Sequence, residues 1–151
     1  MNATARTAAL ACLAVAAACS EPPDESPLGR EFASLVAKPE VTAPQVKVQH
    51  VLIGFVGAKR GSESKRNYAE AKALAEDLLR RARAGEDFEA MMKKYDDPEE
   101  RVVYTLRPGN PEGFAAHFAA VAWHLQKGEF GVAPFHATKS PFGFHLIQRV
   151  E

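Results

Sequence analysis

The sequence predicts an α+β domain built on an antiparallel sheet, and three observations predict it. The elements run strand, helix, helix, strand, helix, strand, strand. The last two strands lie close enough for a hairpin, and strands and helices are segregated rather than alternating as a doubly wound parallel sheet requires. These elements fall between Val46 and Glu151. A chain of 151 residues, 46% hydrophobic and 25% charged, has room for one such core.

Val46-Lys47-Val48-Gln49-His50-Val51-Leu52-Ile53 alternates well enough for the first strand, with Val46, Val48, His50 and Leu52 on one face. His50 thereby meets a largely apolar layer. Gly54, Gly57 and Gly61, interspersed with Lys59, Arg60, Lys65 and Arg66, make a flexible basic loop. Tyr68, Ala71, Leu74 or Ala75, Leu78 and Ala82 then recur at helical spacing, and Gly85 is a C-cap candidate. Phe88, Met91, Met92 and Tyr95 stand at i, i+3, i+4 and i+7 of a second, shorter helix, opened by Asp87 and broken by Pro98.

Arg101 to Leu106 is rich in strand formers and is closed by Pro108, Gly109 and Pro111. Phe114, Phe118, Val121, Ala122 and Leu125 define a helical stripe ending at Gly128, with Trp123 and His124 outside it. Phe130 to Phe135 and Phe142 to Val150 read as the closing strands, joined through a Lys139-Ser140-Pro141 turn.

Ahead of this domain the composition changes twice. Arg6 precedes an Ala, Leu and Val-rich run from Thr7 to Ala18, too short for a relaxed membrane span but suited to a secretory signal. Ala16-Ala17-Ala18-Cys19 resembles a bacterial lipobox, with Ala16 where Leu is usual. Residues 1–18 are therefore expected to be a signal peptide and Cys19 a lipidated N-terminus; ordinary signal cleavage nearby is the alternative. Residues 19–45 carry Pro22, Pro23, Pro27, Pro39 and Pro44 and read as a stiff tether, with at most a transient helical turn or two between Arg30 and Ala37. Ser20 after the cysteine points to an outer-membrane rather than an inner-membrane lipoprotein, by resemblance to the enteric retention signal. The domain proper is assigned to residues 46–151.

Lys+Arg and Asp+Glu both total 19, so net charge gives no reason to expect a nucleic-acid partner. Cys12 and Cys19 are the two cysteines, which leaves the folded part without disulfides or Cys-based metal sites. The histidines, His50, His117, His124, His136 and His145, show no short metal-ligand motif. The basic loop reads as a solvated surface, with grip on acidic substrates as the other reading. Oligomeric state is not legible.

Several segments, in order across Val46 to Glu151, resemble the parvulin family of peptidyl-prolyl cis/trans isomerases. Val48 to Ile53 is similar to the family's first strand, with its histidine followed by aliphatic residues. Ala84-Gly85-Glu86-Asp87-Phe88, followed by Lys94-Tyr95-Asp96-Asp97-Pro98, resembles its G-x-D-F and K-Y-S-D-D stretch. Leu125-Gln126-Lys127-Gly128-Glu129 matches L-x-x-G-E, and Ser140 to Ile147 matches the terminal T-x-F-G-Y-H-I-I. The resemblance implies a four-stranded, FKBP-like antiparallel sheet wrapped by helices, with room for an extra helical segment before the second strand. It also implies prolyl isomerisation without a cofactor and proline-containing polypeptides as substrates.

By the same resemblance, His50 and His145 are the paired histidines at the centre of the sheet. Asp97 stands where members have Cys or Asp, and Ser140 replaces the usual Thr beside the histidines. Leu106, Phe114 and Phe118 would line the proline pocket. The family's Gly-Gly-Asp-Leu-Gly turn is replaced by Val103-Tyr104-Thr105-Leu106-Arg107. That replacement favours the competing reading, a peptide-binding or chaperone module with little turnover. The histidines have two readings, direct participation or structural support as core imidazoles. Phe114 and Phe118 also have two, pocket walls or ordinary core.

The chemistry asks little of reactive groups. An X-Pro amide rotates over a barrier of about 18–20 kcal/mol because conjugation stiffens the C–N bond. Twisting it returns electron density to nitrogen, so an apolar slot that strips water from the amide favours the twisted geometry over the planar one.

Overall fold

The computed structural model describes residues 24–59, 64–95 and 103–151. The expected signal segment, Cys19 and Asp97 lie outside the described residues. The elements are α1 (Pro27–Val36), β1 (Val46–Ile53), α2 (Tyr68–Arg83), α3 (Phe88–Tyr95), β2 (Tyr104–Leu106), α4 (Ala116–His124), β3 (Phe130–Ala133) and β4 (Phe144–Arg149). The four strands form one sheet in the order β2-β1-β4-β3, and every neighbouring pair is antiparallel. This is the α+β architecture expected from the sequence.

Alternation along the two central strands divides the core. Val51 and Ile53 of β1 and Phe144 and Leu146 of β4 face α2 and α3, packing on Ala71, Ala75, Leu78, Met91 and Met92. Val46 and Val48, with Leu106 and Ile147, face the other way onto Phe118, Val121 and Ala122 of α4. Because side chains alternate with period two, His50 and His145 share this second face. The register confirms it: His50 pairs with Ile147, and Leu52 with His145.

The helices on the first face start where local chemistry dictates. Asn67 accepts from the Glu70 amide (2.9 Å), while the Glu70 carboxylate accepts from the Asn67 amide (2.8 Å), a capping box that opens α2. Gly85, at φ +94°, takes the left-handed conformation that ends it. Asp87 caps α3 as expected, accepting from the amides of Glu89 (2.9 Å) and Ala90 (3.3 Å).

The N-terminal boundary differs from the expected one. Residues read as tether form α1: the Ser26 hydroxyl accepts from the Gly29 amide (3.1 Å), and Pro27 occupies the first turn, where its missing N–H costs no helical bond. Leu28, Phe32 and Leu35 recur at i, i+4 and i+7, burying Leu28 and Leu35 against the core. Reading the prolines as interruptions missed this stripe. A Cβ on Gly131 would lie 3.1 Å from the Leu35 side chain, so β3 and α1 touch closely. The chain then continues along α4, where the Val41 amide donates to the Trp123 carbonyl (2.9 Å). That cover explains why Trp123 and His124, off the main stripe, are buried. Leu35→Ala is expected to lower unfolding stability by about 2–4 kcal/mol in a urea titration; a free tether would give no measurable change.

Three edges shift for simple reasons. β3 ends before Pro134, which has no amide to donate to a ladder. β4 begins at Phe144 rather than Phe142 because Gly143, at φ +140°, turns the chain into the sheet. α4 begins at Ala116, leaving Phe114 in the loop before it.

Candidate active site

On the α4 face of the sheet, His50 and His145 project from adjacent central strands. Their Nδ1 atoms are 3.0 Å apart, and the rings lie nearly parallel, 11° between planes with centroids at 5.2 Å. A bond between two Nδ1 atoms needs one ring to donate and the other to accept, so a neutral pair of opposite tautomers fits it. Burial holds the His50 imidazole down at about 4. It holds His145 at about 3, where repulsion from a charged His50 adds to the effect. Both rings are thus neutral at physiological pH. The Nε2 of His145 is buried with no hydrogen-bond partner among the described residues.

Phe118 reaches from α4 onto both imidazoles, edge-on to His50 (5.2 Å, 88°) and to His145 (5.4 Å, 79°). Phe114 stacks on Phe118 with centroids at 5.4 Å and 21° between planes. It is held there by Asn110, whose side chain accepts from the Phe114 amide (3.0 Å) and donates to its carbonyl (2.8 Å). Asn110 makes this double bond from a left-handed backbone, φ +53°, a conformation asparagine tolerates better than most residues. The loop therefore holds the Phe114 backbone through two hydrogen bonds. Asn110 went unrecognised in the sequence, although Gly109-Asn110 and Gly113 mark a turn of this kind.

Leu106 also lies on this face, opposite Val46, but it is fully covered at 0% exposure and forms the floor beneath the aromatic rings. Ser140 is likewise 0% exposed. Its hydroxyl donates to the Gly143 carbonyl (3.5 Å), and its backbone pairs with His136 through amide–carbonyl bonds of 3.0 and 3.1 Å. It closes the turn that delivers His145. The structure thus brings His50, His145, Phe114 and Phe118 together, sets Leu106 below them and places Ser140 in the adjoining turn.

One further ring belongs to the cluster. Tyr104 of β2 stands edge-on to His50 (5.2 Å, 82°), Phe114 (5.7 Å, 85°) and Phe118 (6.1 Å, 85°). In the sequence it was visible only as a replacement in the missing glycine turn. In the basic loop, Lys59 lies over the Phe142 ring, 5.6 Å from its centroid. No group of three or more His, Cys, Asp or Glu that could hold a metal occurs among the described residues.

A small antiparallel sheet with paired neutral imidazoles beneath an aromatic wall suits a non-covalent rotation of an amide better than bond cleavage. The family model for the PPIC-type PPIASE domain matches residues 31–151. The chain belongs to this family and is a peptidyl-prolyl cis/trans isomerase of the parvulin type. Its fold is similar to that of peptidyl-prolyl isomerase ESS1 from Candida albicans, with a TM-score of 0.59 and 20% sequence identity over 82% of this chain and 73% of that one. No curated protein sequence matches the chain. The matched region begins inside α1, in keeping with that helix packing as part of the domain.

Proposed function

We propose that this isomerase acts on X-Pro bonds of exported or envelope proteins as a folding factor, held at a membrane by lipid on Cys19, with the outer membrane as its site. The Ala-rich run after Arg6 and the small residues before Cys19 support export and lipidation. Acyl chains contribute roughly 0.8 kcal/mol per buried methylene, which anchors a small domain when several chains act together. No helix among the described residues is long and apolar enough to cross a membrane. Mass spectrometry of the mature protein is expected to find an acylated Cys19 as its first residue; an unmodified Cys19 rules the anchor out.

The observation that carries the catalytic reading is the contact of Phe118 with both imidazoles, since it places an apolar ring and a neutral polar pair around one point. The substrate prolyl ring packs on Phe114 and Phe118. The amide enters a setting stripped of water, where the planar form loses the solvation that its carbonyl dipole enjoys in bulk. The twisted form, with density returned to nitrogen, loses less, so the barrier falls. The neutral imidazoles add polarity around the amide, and the family resemblance implies Asp97 as a further polar group. A protease-coupled assay on a proline peptide tests this. Wild type accelerates exchange, and Phe118→Ala lowers kcat/KM by about tenfold or more, the loss of one close apolar contact in the transition state. An unchanged rate in that variant removes the slot from this place.

A further inference from the structure

Folding of α1 leaves little chain between the domain and Cys19. Asp24 is fixed on the domain: its carboxylate accepts from the Ser26 amide (2.9 Å) and stands 4.0 Å from the Lys72 ammonium, and a Cβ on Gly29 would overlap it. Between Cys19 and Asp24 stand only Ser20, Glu21, Pro22 and Pro23, so the Cα atoms at the two ends lie at most about 18 Å apart. A compact domain of this length has a radius of gyration of about 14 Å, hence a diameter of about 36 Å. A leash half as long as the domain is wide lets it rock about Asp24 but not turn over.

The surroundings of Asp24 therefore decide which surface meets the lipid. Leu28, four residues on, is buried with Leu78 and Met91, which puts this corner on the α2 face of the sheet. Lys72 follows Tyr68 by one turn of α2, so both lie on one side of that helix. The Tyr68 ring packs edge-on to Phe55 (5.3 Å, 87°) and is still 43% exposed, and Val56, next to Phe55 in the chain, is 65% exposed. An exposed tyrosine beside a lysine suits the headgroup layer, where amphipathic rings settle and lysine stems lie along apolar surface with their charge in water. His50, Phe114 and Phe118 gather on the other face of the sheet, under α4.

We propose that the corner formed by Asp24, Val56, Tyr68 and Lys72 is a bilayer-facing surface: the short leash from a lipidated Cys19 holds it in the headgroup layer, and the substrate slot, on the opposite face of the sheet, opens toward the aqueous side. This rests on the lipid anchor proposed above, and the test separates the two claims. Acylation of Cys19 and loss of the segment before it leave the mature chain without a free thiol, so a single introduced cysteine can carry a nitroxide label. Val56→Cys reports on the corner. Pro111→Cys, at an exposed position in the loop that carries Phe114, reports on the slot side. The full-length acylated protein is placed in vesicles of phosphatidylethanolamine and phosphatidylglycerol, and collision of each label with a water-soluble nickel chelate is measured by EPR, with detergent-solubilised protein as reference.

In vesicles the Val56 label is expected to lose nickel accessibility at least threefold, while the Pro111 label stays within about 1.5-fold of its value in detergent. Ala69→Cys, exposed in the first turn of α2, serves as a second reporter of the corner should Val56→Cys fold poorly. Inserting twenty Gly and Ser residues between Pro23 and Asp24 lets the domain leave the surface and restores most of the accessibility at Val56. Equal accessibility at the two positions overturns the proposal, as does protection at Pro111, and protection at Val56 that survives the insertion overturns the short leash as its cause. Mass spectrometry of the same samples tells the two failures apart. An unmodified Cys19 removes the anchor and this orientation together; an acylated Cys19 with an unprotected Val56 removes the orientation alone.

Discussion

Acidification from about pH 7 to about pH 4 is expected to destabilise this fold by several kcal/mol, chiefly through His50 and His145. In the unfolded chain each imidazole protonates near its ordinary value of 6.5; in the fold burial lowers His50 to about 4 and His145 to about 3. Between those values the unfolded state binds more protons than the folded one, so stability is complete above the unfolded value and drains away as pH falls toward the folded ones. Each imidazole contributes on the order of 3 kcal/mol by about pH 4. Surface carboxylates act in the same direction. Glu86, lowered by its bond to Arg81, and Glu151, lowered by its bond to Lys47, also lose their partners in acid. The comparison must therefore be made against His50→Asn/His145→Asn, whose urea midpoint should depend far less on pH. Equal pH slopes in wild type and double variant would show that the pair is not neutral and sealed.

The second large effect is expected at Gly143. A Cβ there would run into the Ile53 carbonyl oxygen, and it would also lie 3.1 Å from the Ile53 carbonyl carbon and 3.2 Å from the Gly54 Cα. These are backbone atoms that cannot step aside as a side chain would. The residue also sits at φ +140°, a conformation closed to L-residues with side chains. Gly143→Ala should cost ~3 kcal/mol or more in denaturant titrations. It should also reduce turnover, since any retreat of β4 from Ile53 displaces His145 two residues on. Gly85→Ala provides the contrast: that glycine also has positive φ, but a Cβ meets nothing within 4 Å, so strain acts without a clash and far from the imidazoles. Equal losses at the two positions would refute the close-approach argument.

The sequence made most of the sheet legible because its signals are local and redundant. β1 alternates along its first half, α2 repeats its apolar residues for four turns, and glycines fall where those runs stop. The two histidines could be placed on strands, and the register then put them on one face. What stayed hidden depends on contacts between distant residues. α1 was obscured because prolines on either side suggest an extended chain, while its value lies in meeting β3 and α4 far along the sequence. Phe114 belongs by spacing to the helix of Phe118, yet a loop holds it, since the Asn110 side chain supplies the bonds a helix would have supplied. Tyr104 could not be seen as part of the site, because burial of Leu106 and exposure of its neighbour emerge only once β2 is laid beside β1. Metal-motif reasoning on five histidines was blunt for the same reason: the hydrogen-bonded pair, His50 and His145, is 95 residues apart.

α1 and the stretch after it are bolted to α4, through the packing of Leu35 and the bond from Val41 to Trp123. A load applied at the N-terminal end of the described domain would therefore reach the helix that carries Phe118, and it would also reach α2 through the ion pairs of Asp24 with Lys72 and Glu31 with Arg83. A pull on that end thus draws on both faces of the sheet at once, through Leu35 on the α4 side and Leu28 on the side of α2 and α3.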